Sequence, residues 1–528
     1  MSKQKVLIDG QWREAQASEW FRASNPATGA ELDDEYPVSA WADCDAALDA
    51  AARASAIMRE LPPETLAQFL ARYAERIEAR AAEVCDIANA ETALPKSPRL
   101  SVIELPRTTG QLRQAAAAAR DGSWAMPTLD TKLNIRSRHA ALGPVCVFGP
   151  NNFPLAFNGA SGGDFAAAIA AGNPVIVKAH PSHPGTTRML AEEALAAARE
   201  TGMPPASVQL IYHLAREDGL RLVSDPRLGA TGFTGSRSAG LALKAAADAA
   251  GKPIYLELSS LNPVVILPGA LEERAGKIAD ELTDSALAAG GQFCTKPGLV
   301  VALAGERTET FVRELQRRFV DRPTGPLLSA GTGRALDKSV QALRAAGAEV
   351  VAGGEALAGN GRCRYANTLL RVDAAGFLAD REALQTEAFG NAALVVVARD
   401  VAQAREVIES LEGQLTGCVY SSTSGADDAA YAALSPALRR RVGRLLNDKM
   451  PTGVAVSAAM NHGGPYPATG HPAFTAVGIP ASLRRFSQLE CYDNVRPDRL
   501  PPLLRDRNPN GRAWRLIDGS WSRADVTV

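Results

Sequence analysis

From Gly143 onward the chain alternates short, unbroken apolar runs with longer stretches whose apolar residues recur every three or four positions. PVCVFGP, PVIVKAH and VQLIYH read as strands, with ASGGDFAAAIAAG and GTTRMLAEEALAAARETG as the helices between them. A strand that is apolar at every position has no solvent face, so it belongs in a parallel sheet covered by helices on both sides. After Pro253 the pattern restarts with IYLELSS, PVVILPG, a helix from Leu271 to Leu287, LVVALAG and a helix through ETFVRELQRRF. That restart predicts a second α/β domain, which LVVVARD and VAQAREVIES near Leu394 continue.

The chain before Gly143 has a different texture. Residues 6–36 are short strand-like runs broken by the turns of IDGQW and SNPATG. Residues 39–93 are alanine-rich with helical spacing and divide at Pro62 and Pro63; a further helix is expected over about Leu100–Arg120. The segment TLDTKLNIRSRHAALGPV alternates apolar and polar positions and predicts extended strands leaving the main body.

Composition narrows the class. The 57 Lys+Arg against 58 Asp+Glu leave a net charge of -1, which argues against a nucleic-acid surface or a polybasic membrane anchor. No apolar run approaches the ~20 residues of a spanning helix, and MSKQKVLIDGQW has no apolar signal core. Seven scattered cysteines without a CxxC suit reduced thiols and a cytoplasmic location. The six histidines show no HExxH or comparable spacing, so no metal is expected.

The candidate chemistry lies at the ends of the predicted strands, where ligands collect in open α/β sheets. AGGQFCTKPG (289–298) sets Cys294 among small residues and Gln292; a thiol there is either a nucleophile or a buried structural group. GPNNFP carries Asn152, whose amide can donate to an oxyanion or simply shape the turn. Lys178 ends a strand before HPSHPGTT. GFTGSRSAG puts Gly235 and Ser236 at a helix start, where free N–H groups suit a pyrophosphate. Glu257 interrupts an apolar strand; such a carboxylate is costly to bury unless paired or functional, and burial raises its pKa toward that of a general base. Glu387 and Phe389 precede another strand, placed to hold ribose hydroxyls and brace a nicotinamide ring, or to form a plain loop.

In this order, GPNNFP, VIVKAHPSHP, GFTGSRSAG, LELSSLNP, GQFCTKPG and TEAFGN resemble the aldehyde dehydrogenase superfamily from end to end. GQFCTKPGLV, TTGQLR (108–113), NHGGPYPAT (461–469) and LRDRNPNGRAWRLIDG (504–519) are most similar to bacterial α-ketoglutaric semialdehyde (2,5-dioxovalerate) dehydrogenases. NADP-dependent fatty-aldehyde dehydrogenases look similar here, and the HPAF continuation after NHGGPYPATG departs from the semialdehyde pattern.

The resemblance implies a Rossmann-type nucleotide-binding domain (1–125 and 143–253) and an α/β catalytic domain (254–455). It also implies a small β oligomerisation flap (126–142 and 475–495), a C-terminal tail (496–528), and assembly as a homodimer or homotetramer. Cys294 would attack the aldehyde, Asn152 and the Cys294 N–H would hold the oxyanion, and Glu257 would activate the hydrolytic water. Lys178, Ser182, His183, Arg216, Gly235, Ser236, Glu387 and Phe389 would bind the cofactor. Pro181 stands where NAD-preferring members often carry a glutamate, so NADP is expected to be preferred, with NAD as the alternative. Arg107, Gln111 and Phe157 would border the substrate, with Arg107 or Arg113 pairing with its carboxylate. Two rival classes stay open: a thiol hydrolase or acyltransferase, which needs a histidine beside Cys294, and a non-catalytic member of the fold.

Overall fold

The computed structural model describes residues 2–357 and 363–526; residues 358–362 of the expected catalytic domain and 527–528 of the expected tail lie outside them. Two seven-stranded sheets dominate. The first runs in the order Ile254–Glu257, Ala230–Thr234, Val145–Phe148, Val175–Lys178 and Val208–Ile211, all parallel, and is closed by Val6–Ile8 and Gln11–Arg13. The central strands are buried at nearly every position, as their unbroken apolar sequences require. Val145, Val147, Ile176 and Val177 are almost fully enclosed, each side chain contributing about 1.5–3 kcal/mol of hydrophobic stabilisation.

The second sheet is ordered Glu349–Ala352, Thr368–Asp373, Ala392–Ala398, Leu299–Leu303, Val264–Ile266, Gln414–Tyr420 and Val442–Asn447. Only its first strand is antiparallel. The helical stretch 39–93 resolves into Trp41–Met58, Pro63–Ala79 and Ala81–Thr92, with Pro63 starting the second helix as its missing N–H permits. The next helix spans Leu105–Asp121, behind a wider helical turn over Lys96–Glu104.

Two expected boundaries move. Strand Ile254–Glu257 pairs with Ala230–Thr234, so it is the edge of the first sheet and not the start of the second domain. Its Leu256 packs into the first domain's core. A strand's sequence records that it is buried but not which neighbour it pairs with, and the restart after Pro253 therefore marks the wrong end of this strand. The C-terminal segment is likewise no separate tail. Strand Arg515–Ile517 runs parallel to Thr128–Asp130, which with Ile135–Ala141, Ser487–Asp493 and Ser520–Ser522 makes a five-stranded flap. Arg515 is fully buried and donates to the carbonyls of Asp506 at 3.0 Å and Ala524 at 2.7 Å, fastening the segment in place.

Candidate active site

Cys294 lies in the loop between helix Pro268–Leu287 and strand Leu299–Leu303. The loop is fixed from several sides. Gly291 adopts φ 68°, and a Cβ there would lie 2.1 Å from the Gly390 carbonyl, so only glycine lets the two loops meet. The Asn262 amide donates to the carbonyls of Cys294 at 3.0 Å and Lys296 at 2.9 Å. Gln292 accepts from the Leu328 N–H at 2.8 Å. The buried Lys296 ammonium reaches across to the carbonyls of Ala388 (3.0 Å) and Ala392 (2.6 Å), and burial pulls its pKa down to about 8.

Glu257 ends the edge strand of the first sheet and faces the second domain. It is 2% exposed; its Oε1 lies 2.8 Å from His462 Nε2, while its Oε2 is buried without a partner among the described residues. His462 Nε2 lies 3.5 Å from Cys294 Sγ. One imidazole nitrogen therefore meets both thiol and carboxylate. Burial, and then the Glu257 charge, push the Cys294 thiol well above its usual range, with the Arg107 guanidinium opposing them. His462 is held by its backbone N–H, which donates to Thr475 Oγ1 at 3.0 Å. The two glycines after it let the chain pass close to its neighbours: a Cβ on Gly463 would fall 2.2 Å from the Phe474 carbonyl, and one on Gly464 2.2 Å from the Gln414 carbonyl of strand Gln414–Tyr420.

Asn152 is buried in the turn after strand Val145–Phe148, and its amide nitrogen donates to the Gln292 carbonyl at 2.9 Å. An amide nitrogen carries two hydrogens, so one donor remains. The Cys294 backbone N–H has no partner among the described residues. Arg99 supports this turn from below: it pairs with the buried Glu104, donates to the Asn152 carbonyl at 3.1 Å and lies 4.4 Å from the Phe153 ring centre. Glu104 in turn accepts from the N–H groups of Leu155 (2.8 Å) and Ala156 (3.0 Å).

A cleft of about 440 Å³ opens between the two sheets; Asn152, His180, Gly235, Ser236, Glu257, Cys294, Glu387 and Phe389 are among the residues lining it. Ser236 lines the cleft and caps helix Arg237–Ala249, accepting from the Ala239 N–H, so the start of that helix lies at the cleft's edge. Burial raises the Glu387 carboxyl, against the pull of Lys296 and of hydrogen bonds from Ser259 and the Ser260 backbone.

Other expected contacts sit elsewhere. Lys178 lies at its strand's end, half-buried, with its pKa pulled down to about 8 by burial. Its Nζ is 5.7 Å from the Phe148 ring centre. His183 is 1% exposed, and its Nε2–H donates to the Pro150 carbonyl at 2.8 Å, so it braces the Asn152 turn instead of facing the cleft. Ser182 is half-buried and its backbone N–H donates to His180 Nδ1 at 3.1 Å, while Arg216 is exposed at a helix start. Gln111 is buried beneath the Asn152 turn, donating to the Ala156 carbonyl at 3.1 Å. Phe157 stands 5.8 Å from the His462 ring. Arg113 is taken by a two-point pair with Glu78 on the outer surface, which removes it as a substrate group.

Sequence reasoning missed His462, Asn262 and the Arg99–Glu104 pair. His462 stands in NHGGPYPAT, which carried the resemblance, but nothing local points it at a cysteine 168 residues earlier.

The aldehyde dehydrogenase family profile matches residues 12–443. The chain belongs to the aldehyde dehydrogenase family. It is 41% identical over 513 residues to α-ketoglutaric semialdehyde dehydrogenase 2 of Azospirillum brasilense, covering 94% of this chain and 96% of that one. It is 35% identical to α-ketoglutaric semialdehyde dehydrogenase of Acinetobacter baylyi, covering 90% and 91%. Its fold matches a Pseudomonas syringae aldehyde dehydrogenase C mutant in complex with NAD+ and octanal, with TM-score 0.80, 20% identity and coverage of 94% and 98%. Family membership makes this an NAD(P)-dependent aldehyde dehydrogenase and closes the thiol-hydrolase reading, although the histidine that reading required does lie beside Cys294. No helix among the described residues is long and apolar enough to cross a membrane.

Proposed function

We propose that this aldehyde dehydrogenase oxidises α-ketoglutaric semialdehyde to 2-oxoglutarate, with NADP preferred over NAD. The observation that carries the substrate reading is Arg107. Its Nη1 donates to the Val454 carbonyl at 2.8 Å, but Nε and Nη2 are buried without a partner among the described residues. Those two nitrogens form one edge of the guanidinium, the edge that binds a carboxylate through two parallel hydrogen bonds. The group is near enough to Cys294 for each charge to act on the other's ionisation, and it lies 5.1 Å from the Phe157 ring centre. A semialdehyde with a terminal carboxylate fills both requirements, and the names of the two similar relatives agree.

The cleft fits a dinucleotide. A helix start opens onto it at Ser236, a carboxylate lines it at Glu387, and a Cβ on Gly235 would crowd the Phe233 ring at 2.9 Å. Gly235, Ser236, Glu387 and Phe389 would hold it, with Lys178, Ser182 and Arg216 toward the adenosine end. No carboxylate stands at Pro181 to repel a 2′-phosphate.

In this reading the thiol proton passes to the His462–Glu257 pair as Sγ adds to the aldehyde carbon, forming a thiohemiacetal. The remaining Asn152 N–H and the Cys294 N–H hold its oxyanion. A bound nicotinamide supplies the oxidant that converts this adduct to a thioester. Once the thiol proton has left the pair for solvent, Glu257, steadied by His462, removes a proton from the water that hydrolyses the thioester, and that proton restores the thiol as the acid leaves. Assembly as a homodimer or homotetramer is part of the same reading: flap strand Ser487–Asp493 and strand Val442–Asn447 of the second sheet both end their sheets without a neighbour among the described residues.

Arg107→Ala tests the substrate. KM for α-ketoglutaric semialdehyde should rise at least about tenfold, the order expected for losing a charge-assisted pair, with little change for a neutral alkanal. Equal effects on both would overturn the assignment.

A further inference from the structure

The three groups proposed for chemistry also form a set of metal ligands. Cys294 Sγ, His462 Nε2 and a Glu257 carboxylate oxygen all lie within 4.8 Å of one another. We infer that this trio captures a borderline-soft divalent cation, Zn2+ above all, and that capture reversibly switches the enzyme off.

The geometry suits zinc. Tetrahedral Zn2+, with bonds of ~2.3 Å to sulfur and ~2.0 Å to nitrogen, holds such a pair about 3.5 Å apart; Sγ and Nε2 stand at 3.5 Å. Two first-row ligands such as N and O should be ~3.3 Å apart, so the 2.8 Å between Nε2 and Glu257 Oε1 needs only a small opening. Glu257 Oε2, buried and without a partner among the described residues, is a second oxygen free to ligate. The charges balance, since a thiolate and a carboxylate neutralise a dication in a buried place where an excess charge would be costly. The cleft beside Cys294 and Glu257 leaves room for water as fourth ligand.

Binding replaces the thiol proton, which leaves to solvent, and requires the imidazole proton on Nδ1. No electrons move.

Co2+ is the probe, because its thiolate charge-transfer and tetrahedral d–d bands report ligands directly. The reduced full-length enzyme should bind one Co2+ per chain with both bands and be displaced by Zn2+. Bound Zn2+ should also block alkylation of Cys294 by iodoacetamide. Cys294→Ser, a one-atom change, should abolish the charge-transfer band. His462→Gln and Glu257→Gln should each weaken binding at least about tenfold. Absence of the bands, or their survival in Cys294→Ser, would overturn the inference. The trio rests on the proposed catalytic assignment only through shared residues: an enzyme that oxidises aldehydes but gives no cobalt spectrum refutes metal capture alone, and a spectrum without dehydrogenase activity refutes the other.

Discussion

The proposed reaction centre and the turn after Lys178 border the same domain but are built on opposite principles. Around Cys294 the polar groups face one another: Glu257 meets His462, His462 meets the thiol, and Asn262 and Lys296 fix the loop through its carbonyls and those of its neighbour. At the turn they face the backbone. His183 is spent on Pro150, and His180 Nδ1 accepts from Ser182, leaving Arg216 in solvent. A centre that must hold developing charge needs its groups preorganised, because reorganising them during the reaction would cost what they contribute. A turn proposed to discriminate one phosphate can be shaped by what it lacks, here a carboxylate at Pro181.

This contrast can be broken from the largest effect downward. His462→Gln keeps a hydrogen-bonding side chain but removes the shared base; kcat should fall about 10²–10⁴-fold while dinucleotide affinity stays unchanged. A dinucleotide Kd that moves with kcat would show that His462 only supports the fold. Asn152→Ala removes one oxyanion donor and should lower kcat about 10²–10³-fold, with Cys294 alkylated at an unaltered rate. Glu257 holds the thiol's pKa up, so in Glu257→Gln the alkylation–pH curve should move to lower pH; a curve that stays in place would separate the two groups electrostatically. Pro181→Glu should shift the kcat/KM ratio from NADP toward NAD by about tenfold, roughly 1.4 kcal/mol, and leave kcat alone. An unchanged ratio would mean that discrimination lies elsewhere in the cleft.

The same contrast explains what could be read from the chain. Cys294, Glu257 and Asn152 each sit at a strand or loop with a local signature, and the structure brings all three to one cleft. The imidazole between them was not legible, since His462 approaches Glu257 across 205 residues of sequence and is aimed by glycines whose packing is visible only in three dimensions. Strands Arg515–Ile517 and Ser520–Ser522 are three residues long, too short for alternation to register. The alternation of buried strands and helices did reveal both α/β domains, because burial on two faces leaves a mark on every residue of a strand. Which edge Ile254–Glu257 joins leaves none, and that is where the boundary shifted.

The central claim is that Cys294 carries the acyl group and that Glu257 frees it. Rapid-quench mass spectrometry of Glu257→Gln mixed with NADP and α-ketoglutaric semialdehyde tests this directly. The account predicts one burst equivalent of NADPH per site, accompanied by an acyl mass on the peptide containing Cys294. A burst with no acylated cysteine, or steady turnover at the wild-type rate, would contradict it.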